Sequence, residues 1–146
     1  MKNLIVSTLY IIISLISIEL FFTSCSEDEL QIQKNFPFEV QFLPVQKYIA
    51  KGETVEIRCR IIPTGNYAGT SYSIRYFQPN GAGNLRLFND LPFVPNNVYP
   101  LSEKEFRLYY TSESTVSQSF DIRISDNMGN EKKLSFQFDP SNIVSL

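Results

Sequence analysis

The chain of 146 residues contains no histidine and no tryptophan. Without histidine it cannot build the Ser-His-Asp or Cys-His arrangements of nucleophilic enzymes, nor a zinc site that depends on imidazole. The commonest general base near neutral pH is missing as well. These absences predict that the protein is not an enzyme and that it holds no metal ion and no other cofactor.

Cysteine is scarce, because the chain has only Cys25 and Cys59. An exported domain would normally pair its cysteines. If Cys25 carries a lipid instead, Cys59 has no cysteine left to pair with. Val55, Ile57 and Ile61 alternate in phase with Cys59. The pattern therefore predicts that Cys59 is a buried, reduced core residue.

A strong charge of one sign is also missing. Lysine and arginine number 13 against 15 aspartates and glutamates, which gives a net charge of −2. Proteins that bind nucleic acid usually carry a basic patch or stripe. The balance predicts no direct contact with nucleic acid, and nothing in the chain suggests a small-molecule substrate.

What the sequence does contain, at its very start, is an apolar leader. Lys2 supplies a positive charge, residues 4–18 are almost purely apolar, and Thr23-Ser24 precede Cys25. This order is typical of a secretory signal. A cysteine directly after the small residues resembles the bacterial lipobox, in which the cysteine is acylated and begins the mature protein. We therefore expect residues 1–24 to be a lipoprotein signal peptide and Cys25 to be the site of lipid attachment.

Two other interpretations of the leader stay open. An uncleaved N-terminal anchor would need about 20 apolar residues, and Glu19 interrupts the run. A plain secretory signal is the other alternative, because Phe22 suits a lipobox less well than leucine would. In each case the rest of the chain is exported, and with lipid on Cys25 we expect it in the cell envelope, at the outer membrane.

Residues 25–35 are polar and acidic, and they predict a tether between the lipid and the domain. The run Glu27-Asp28-Glu29 is either an ordinary solvated segment or a signal. Together with Ser26, it resembles the acidic signal that directs Bacteroidetes lipoproteins to the cell surface.

Residues 36–146 show a period of two, which is typical of strands. Seven strands are predicted, at 38–42, 54–62, 71–78, 85–87, 105–110, 119–125 and 132–138, and the first continues over 45–49 after a break at Pro44. The last two flank a turn at 127–130 and predict a hairpin, whereas 89–100, with three prolines, is predicted as a surface loop. About seven short strands indicate an all-β fold, an immunoglobulin-like antiparallel β-sandwich. The disulfide and tryptophan of antibody domains are absent.

Tyrosine is concentrated in the middle of the domain. Neighbouring residues on a strand point to opposite faces. The pattern places Ile74, Tyr76, Leu108 and Tyr110 inside the sandwich. The candidate partner-binding face then consists of four outward residues, provided that their strands share one surface: Arg75, Phe77, Arg107 and Tyr109.

Three interpretations of these outward residues stay open. Aromatic and arginine side chains are enriched in protein interfaces, which favours a protein partner. The rings could instead simply cover neighbouring strands. They could also stack on sugars, which would make the domain a surface carbohydrate-binding or adhesion module.

Three segments carry a family resemblance: KGETVEIRC at 51–59, YSIRYFQP at 72–79 and FRLYYTS at 106–112. They resemble signature segments of the TraQ family of Bacteroides-type conjugative transposons, and the similarity extends over the whole mature domain. The resemblance implies a cell-envelope component encoded in a transfer operon, whose partners are other proteins of the mating apparatus. It carries over no catalytic or ligand-binding residue.

Overall fold

The computed structural model describes residues 33–141, which form nine β-strands. In chain order the strands are β1 Phe38–Phe42, β2 Tyr48–Ile49, β3 Thr54–Pro63, β4 Tyr72–Asn80, β5 Gly83–Leu87, β6 Val98–Leu101, β7 Glu105–Ser112, β8 Gln118–Asp126 and β9 Glu131–Pro140. Within this range, no helix has the length and hydropathy that a membrane crossing requires. The predicted signal peptide, Cys25 and residues 26–32 of the predicted tether lie outside the described residues.

The strands form two sheets. One has the order β1-β3-β7-β5, and the other has the order β2-β9-β8-β4-β6. Every pair is antiparallel except β2 with β9, which is parallel. Both sheets bury their inward side chains in one shared core, so the predicted β-sandwich is confirmed.

Alternation along the strands builds the core. In β3, Val55, Ile57, Cys59 and Ile61 are buried while the residues between them face outward. At the centre, the ring of Phe120 stacks on Tyr110 of the opposite sheet with 4.3 Å between centroids. Because burial of apolar surface is the main driving force for folding, this inward set holds the sheets together.

The predicted hairpin between β8 and β9 is confirmed. Its turn depends on Asp126, whose Oδ1 accepts hydrogen bonds from the backbone N–H groups of Met128 at 2.9 Å and Asn130 at 2.8 Å. Gly129 adopts a φ of 91° there, in a region that favours glycine. The carboxylate of Asp126 is therefore engaged in hydrogen bonds within the turn.

One segment differs from the prediction. Residues 98–100 were predicted to belong to a surface loop, but they lie in β6, which pairs with β4. The prolines suggested a loop because proline cannot donate a hydrogen bond to a neighbouring strand. Pro100 is accommodated because β6 is at the edge of its sheet, where one side needs no partner.

Candidate functional site

The four residues of the predicted face lie on two different strands and two different sheets. Arg75 and Phe77 are on β4 in the five-stranded sheet, and Arg107 and Tyr109 are on β7 in the four-stranded sheet. The predicted strand phase is confirmed, because Tyr110 is fully buried while Tyr109 is half-buried on the outside. The expectation of a single surface is wrong, since the outer faces of a sandwich point away from each other. Alternation defines a side of a strand but does not say which sheet the strand joins.

The outer face of the four-stranded sheet concentrates positive charge. It carries four of the six arginines in the chain, against two glutamates on the same three strands β3, β5 and β7. Those strands contain no lysine at all. We call this surface the arginine face; it consists of Arg58, Arg60, Arg86, Arg107, Glu56, Glu105 and Tyr109.

Glu56 contacts three other residues of the arginine face. Its Oε1 accepts a hydrogen bond from Arg58 and lies 3.6 Å from Nη1 of Arg107, and its Oε2 accepts one from the hydroxyl of Tyr109 at 3.2 Å. The hydrogen bond from Arg58, helped by the charges of Arg58 and Arg107 and by Tyr109, lowers the pKa of Glu56 below its ordinary value. The carboxylate is therefore ionised at neutral pH.

Arg58 and Arg107 are direct neighbours across the β3–β7 ladder. Like charges in this position repel each other, and the single carboxylate of Glu56 pairs with both arginines. Each arginine side chain is at least half-exposed. Since a guanidinium has five N–H donors, both retain donors that point to solvent. This geometry suits the binding of an additional carboxylate or other anion.

An open groove of about 600 Å³ crosses this face. Its lining comprises Gln41, Phe42, Leu43, Arg58, Cys59, Arg60, Phe88, Glu105, Phe106 and Arg107. Phe42 and Leu43 come from the end of β1, and Phe88 directly follows β5. These three apolar side chains are 39–57% exposed. The ring of Phe42 packs on Phe136 of the opposite sheet, with 5.1 Å between centroids. Leu43 and Phe88 are therefore the exposed apolar side chains that the groove adds to its arginines.

The sequence did not single out most of these groups. Arg58 and Arg60 alternate outward on β3, and that pattern was visible, but their position beside Arg107 depends on the pairing of β3 with β7. Phe42 and Phe88 are 46 positions apart in the sequence. They line one groove because β1 and β5 form the two edges of the sheet, and the groove crosses the strands β3 and β7 between them.

The outer face of the other sheet has a different character. Arg123 lies over the ring of Phe77, 5.1 Å from its centroid, and also pairs with Glu131. Lys133 pairs with Asp121 at 2.9 Å. The cations here are mostly matched by anions, although Arg75 forms no ion pair with any described residue.

Cys59 is buried, with 4% of its surface exposed, and has no disulfide partner among residues 33–141. Burial raises the pKa of its thiol to about 12. Because the thiolate is the reactive form, this side chain is a poor nucleophile. Within the same range, no group of three or more cysteine, aspartate or glutamate side chains is arranged to hold a metal ion.

The fold defines the class: a small all-β domain built as a two-sheet sandwich. A sequence profile of the family described as TraQ conjugal transfer protein matches residues 8–141. The chain belongs to that family.

The solved structures that are similar to this chain include three proteins from Bacteroides. A conjugative transposon lipoprotein from Bacteroides eggerthii is 42% identical, with a TM-score of 0.67, and the match covers 71% of this chain and 98% of that one. A lipoprotein from Bacteroides thetaiotaomicron is 43% identical, with a TM-score of 0.67 and coverage of 79% and 88%. A conjugate transposon protein from Bacteroides vulgatus is 44% identical, with a TM-score of 0.65 and coverage of 82% and 97%. Among curated proteins, none matches.

Proposed function

We propose that this protein is a non-enzymatic, lipid-anchored component of the cell envelope that binds other proteins of the mating apparatus through the arginine face. Membership of a conjugal transfer family supports the setting. The observation that carries the binding role is the collection of four of the six arginines, with Tyr109, on one outer sheet face that an open groove crosses. Arginine and tyrosine are enriched among the few residues that dominate the binding energy of protein interfaces.

Of the residues predicted from sequence, Arg107 and Tyr109 belong to the proposed partner site, whereas Arg75 and Phe77 provide its control. A double variant with Arg107→Ala and Tyr109→Ala should fold normally but lower the frequency of DNA transfer at least tenfold, and it should lose transfer proteins from cross-linked complexes. The matched double variant, Arg75→Ala with Phe77→Ala, removes the same kinds of side chain from the opposite sheet.

Circular dichroism and thermal unfolding of both purified double variants would establish that they are folded. Wild-type transfer by a folded Arg107→Ala and Tyr109→Ala protein would contradict the proposal. An equal loss in the two double variants would contradict the assignment to the four-stranded sheet.

The lipid anchor is the second part of the proposal, and it rests on Cys25 after its apolar leader. The similar proteins from Bacteroides eggerthii and Bacteroides thetaiotaomicron are described as lipoproteins. Cys25→Ser should abolish labelling by a palmitate analogue and release the protein from the outer-membrane fraction. If the variant is labelled as strongly as the natural chain, Cys25 is not the attachment site.

A carbohydrate-binding or adhesion module is the alternative function, and the outward rings argue against it. Arg86 lies over the ring of Tyr109, 5.6 Å from its centroid, and Arg123 covers Phe77 in the same way. A sugar would have to displace these guanidinium groups before it could stack. Glycan-induced chemical-shift changes centred on Tyr109 would favour this alternative over the binding of transfer proteins.

A further inference from the structure

We infer that the groove on the arginine face binds a short acidic segment of a partner protein, in which carboxylates alternate with apolar side chains. This inference rests on the proposed function and adds the chemistry of the partner. The groove is lined by residues of both kinds that such a segment would need, namely the arginines Arg58, Arg60 and Arg107 and the exposed apolar side chains of Leu43 and Phe88.

The carboxylates of the partner would meet the three arginines of the groove, Arg58, Arg60 and Arg107. Arg60 is held by Glu105 at 3.0 Å, but Arg58 and Arg107 share one carboxylate, with the Arg107 contact at 3.6 Å. Charge-assisted hydrogen bonds from arginine to carboxylate are among the stronger polar contacts in proteins. A second carboxylate near Arg58 and Arg107 would relieve their mutual repulsion and use their free donors.

The apolar side chains of the partner would meet Leu43 and Phe88, because the ring of Phe42 already packs on Phe136 of the opposite sheet. Leu43 is 57% exposed, and Phe88 is 39% exposed although its backbone is fixed by a hydrogen bond to the carbonyl of Arg107 at 3.0 Å. Phe88 also has a φ of 45°, a conformation that is costly for a bulky residue. A partly exposed aromatic ring on a hydrogen-bonded backbone is well suited to serve as an anchor for a partner.

Charge favours a peptide over a nucleic acid as the occupant. Glu56 and Glu105 are interleaved with the arginines on β3 and β7. A nucleic acid strand carries a charge at every phosphate, so it would bring some phosphates against these glutamates. A peptide can place its few carboxylates at the arginines alone.

The test uses the full chain, purified in detergent, and three labelled probes measured by fluorescence anisotropy. The probes are a peptide in which glutamate alternates with leucine and phenylalanine, its counterpart with glutamine in place of glutamate, and a single-stranded oligothymidine. We expect the glutamate peptide to bind best, and added salt should weaken its binding by screening.

Variants locate the binding. Arg58→Ala and Arg107→Ala should each weaken binding of the glutamate peptide about tenfold, as expected for the loss of a hydrogen bond between charged groups. Arg75→Ala, on the opposite sheet, should leave it unchanged. Glu56→Gln should strengthen binding, because it frees both guanidinium groups from the internal carboxylate.

Several outcomes would overturn the inference. Equal binding of the glutamate and glutamine peptides would show that carboxylates are not recognised, and tighter binding of oligothymidine would identify a nucleic acid site. Tighter binding of the peptide after Glu27→Gln, Asp28→Asn and Glu29→Gln would show that the acidic segment of the chain itself occupies the groove. If the peptide fails to bind while the Arg107→Ala and Tyr109→Ala variant still impairs transfer, only the acidic chemistry is wrong and the proposed function stands.

Discussion

Tyr109 and Tyr110 show how much the position of one residue decides. They are adjacent and identical in chemistry, yet Tyr109 faces outward and Tyr110 is fully buried. The hydroxyl of Tyr110 donates to Oε1 of Gln118 at 2.7 Å and accepts from Nε2 of Gln78 at 3.1 Å. Burial raises the pKa of Tyr110 above its ordinary value. A buried hydroxyl with these partners ties β7 to the opposite sheet.

Tyr110→Phe should therefore destabilise the domain. The change leaves the buried carboxamide oxygen of Gln118 without its hydroxyl donor, and we expect the free energy of unfolding to fall by about 1–2 kcal/mol. Tyr109→Phe is the matched control, since it removes a hydroxyl that bonds the partly exposed carboxylate of Glu56 at the protein surface, and its effect should stay within about 0.5 kcal/mol. Urea unfolding of both variants measures the difference, and equal losses would show that the network contributes nothing.

Cys59→Ala should lower the free energy of unfolding by about 1–2 kcal/mol, as a small core truncation does. Function should be unaffected, because the thiol is buried and its pKa is raised to about 12. In the natural chain, a thiol reagent should react with Cys59 only as fast as the domain unfolds. Rapid modification under native conditions would show that the side chain is accessible.

At the scale of elements, a short strand at a sheet edge contributes more to stability than its length suggests. β2 has only two residues, but its parallel pairing with β9 brings Ile49 into the core with no exposed surface. The backbone carbonyl of Ile49 also accepts a hydrogen bond from the N–H of Ser141 at 3.1 Å. This two-residue strand fixes the chain where it passes from β1 to the other sheet.

Ile49→Ala should cost about 2–5 kcal/mol, because it leaves a cavity in the core. Tyr48→Ala on the same strand is the control. Its side chain is 56% exposed, so the cost should be well below that of Ile49→Ala. Thermal and urea unfolding would rank the two, and a larger effect at Tyr48 would mean that β2 is held from its outer side.

At the scale of the whole molecule, carboxylates link stability to pH. The pKa of Glu53 is lowered mainly by a hydrogen bond from the backbone N–H of Ala50, that of Glu56 by Arg58, and that of Asp121 by the hydroxyl of Ser135. With a lower pKa in the folded state, the unfolded chain binds more protons in the acidic range. Stability from these groups is therefore complete above their ordinary values and is lost as the pH falls through the lowered ones.

The melting temperature should accordingly stay level from neutral pH down to about pH 5 and fall progressively below it. At alkaline pH the dependence of stability on pH has the opposite sign, because folding raises the pKa of Cys59 from 9.0 to about 12. Stability should therefore decline as the pH rises above 9.0. Glu53→Gln should make the melting temperature fall less steeply at acidic pH. Calorimetry across the pH range measures both limbs, and a melting temperature that is constant into strong acid would contradict the carboxylate argument.

Prediction from the sequence worked where the signal is local. Alternation in β3 located its buried residues, and the Asn127-Met128-Gly129-Asn130 turn located the last hairpin, because each depends on neighbouring residues only. It failed for β6, where Pro100 suggested a loop although an edge position tolerates proline. It also failed for the grouping of Arg75 with Arg107, because strand pairing depends on contacts between distant parts of the chain.

By itself, the sequence determined the absence of histidine chemistry, the apolar leader that ends at Cys25, the phase of each main strand and the resemblance to a conjugal transfer family. Each of these follows from residue identity or from a period of two. Only the tertiary structure decided which strands share a sheet, and with that which arginines collect on one face. The physical reason is that strand pairing is stabilised by burial of the inward side chains. The outward side chains do not select the pairing, and they become neighbours only through the register that results.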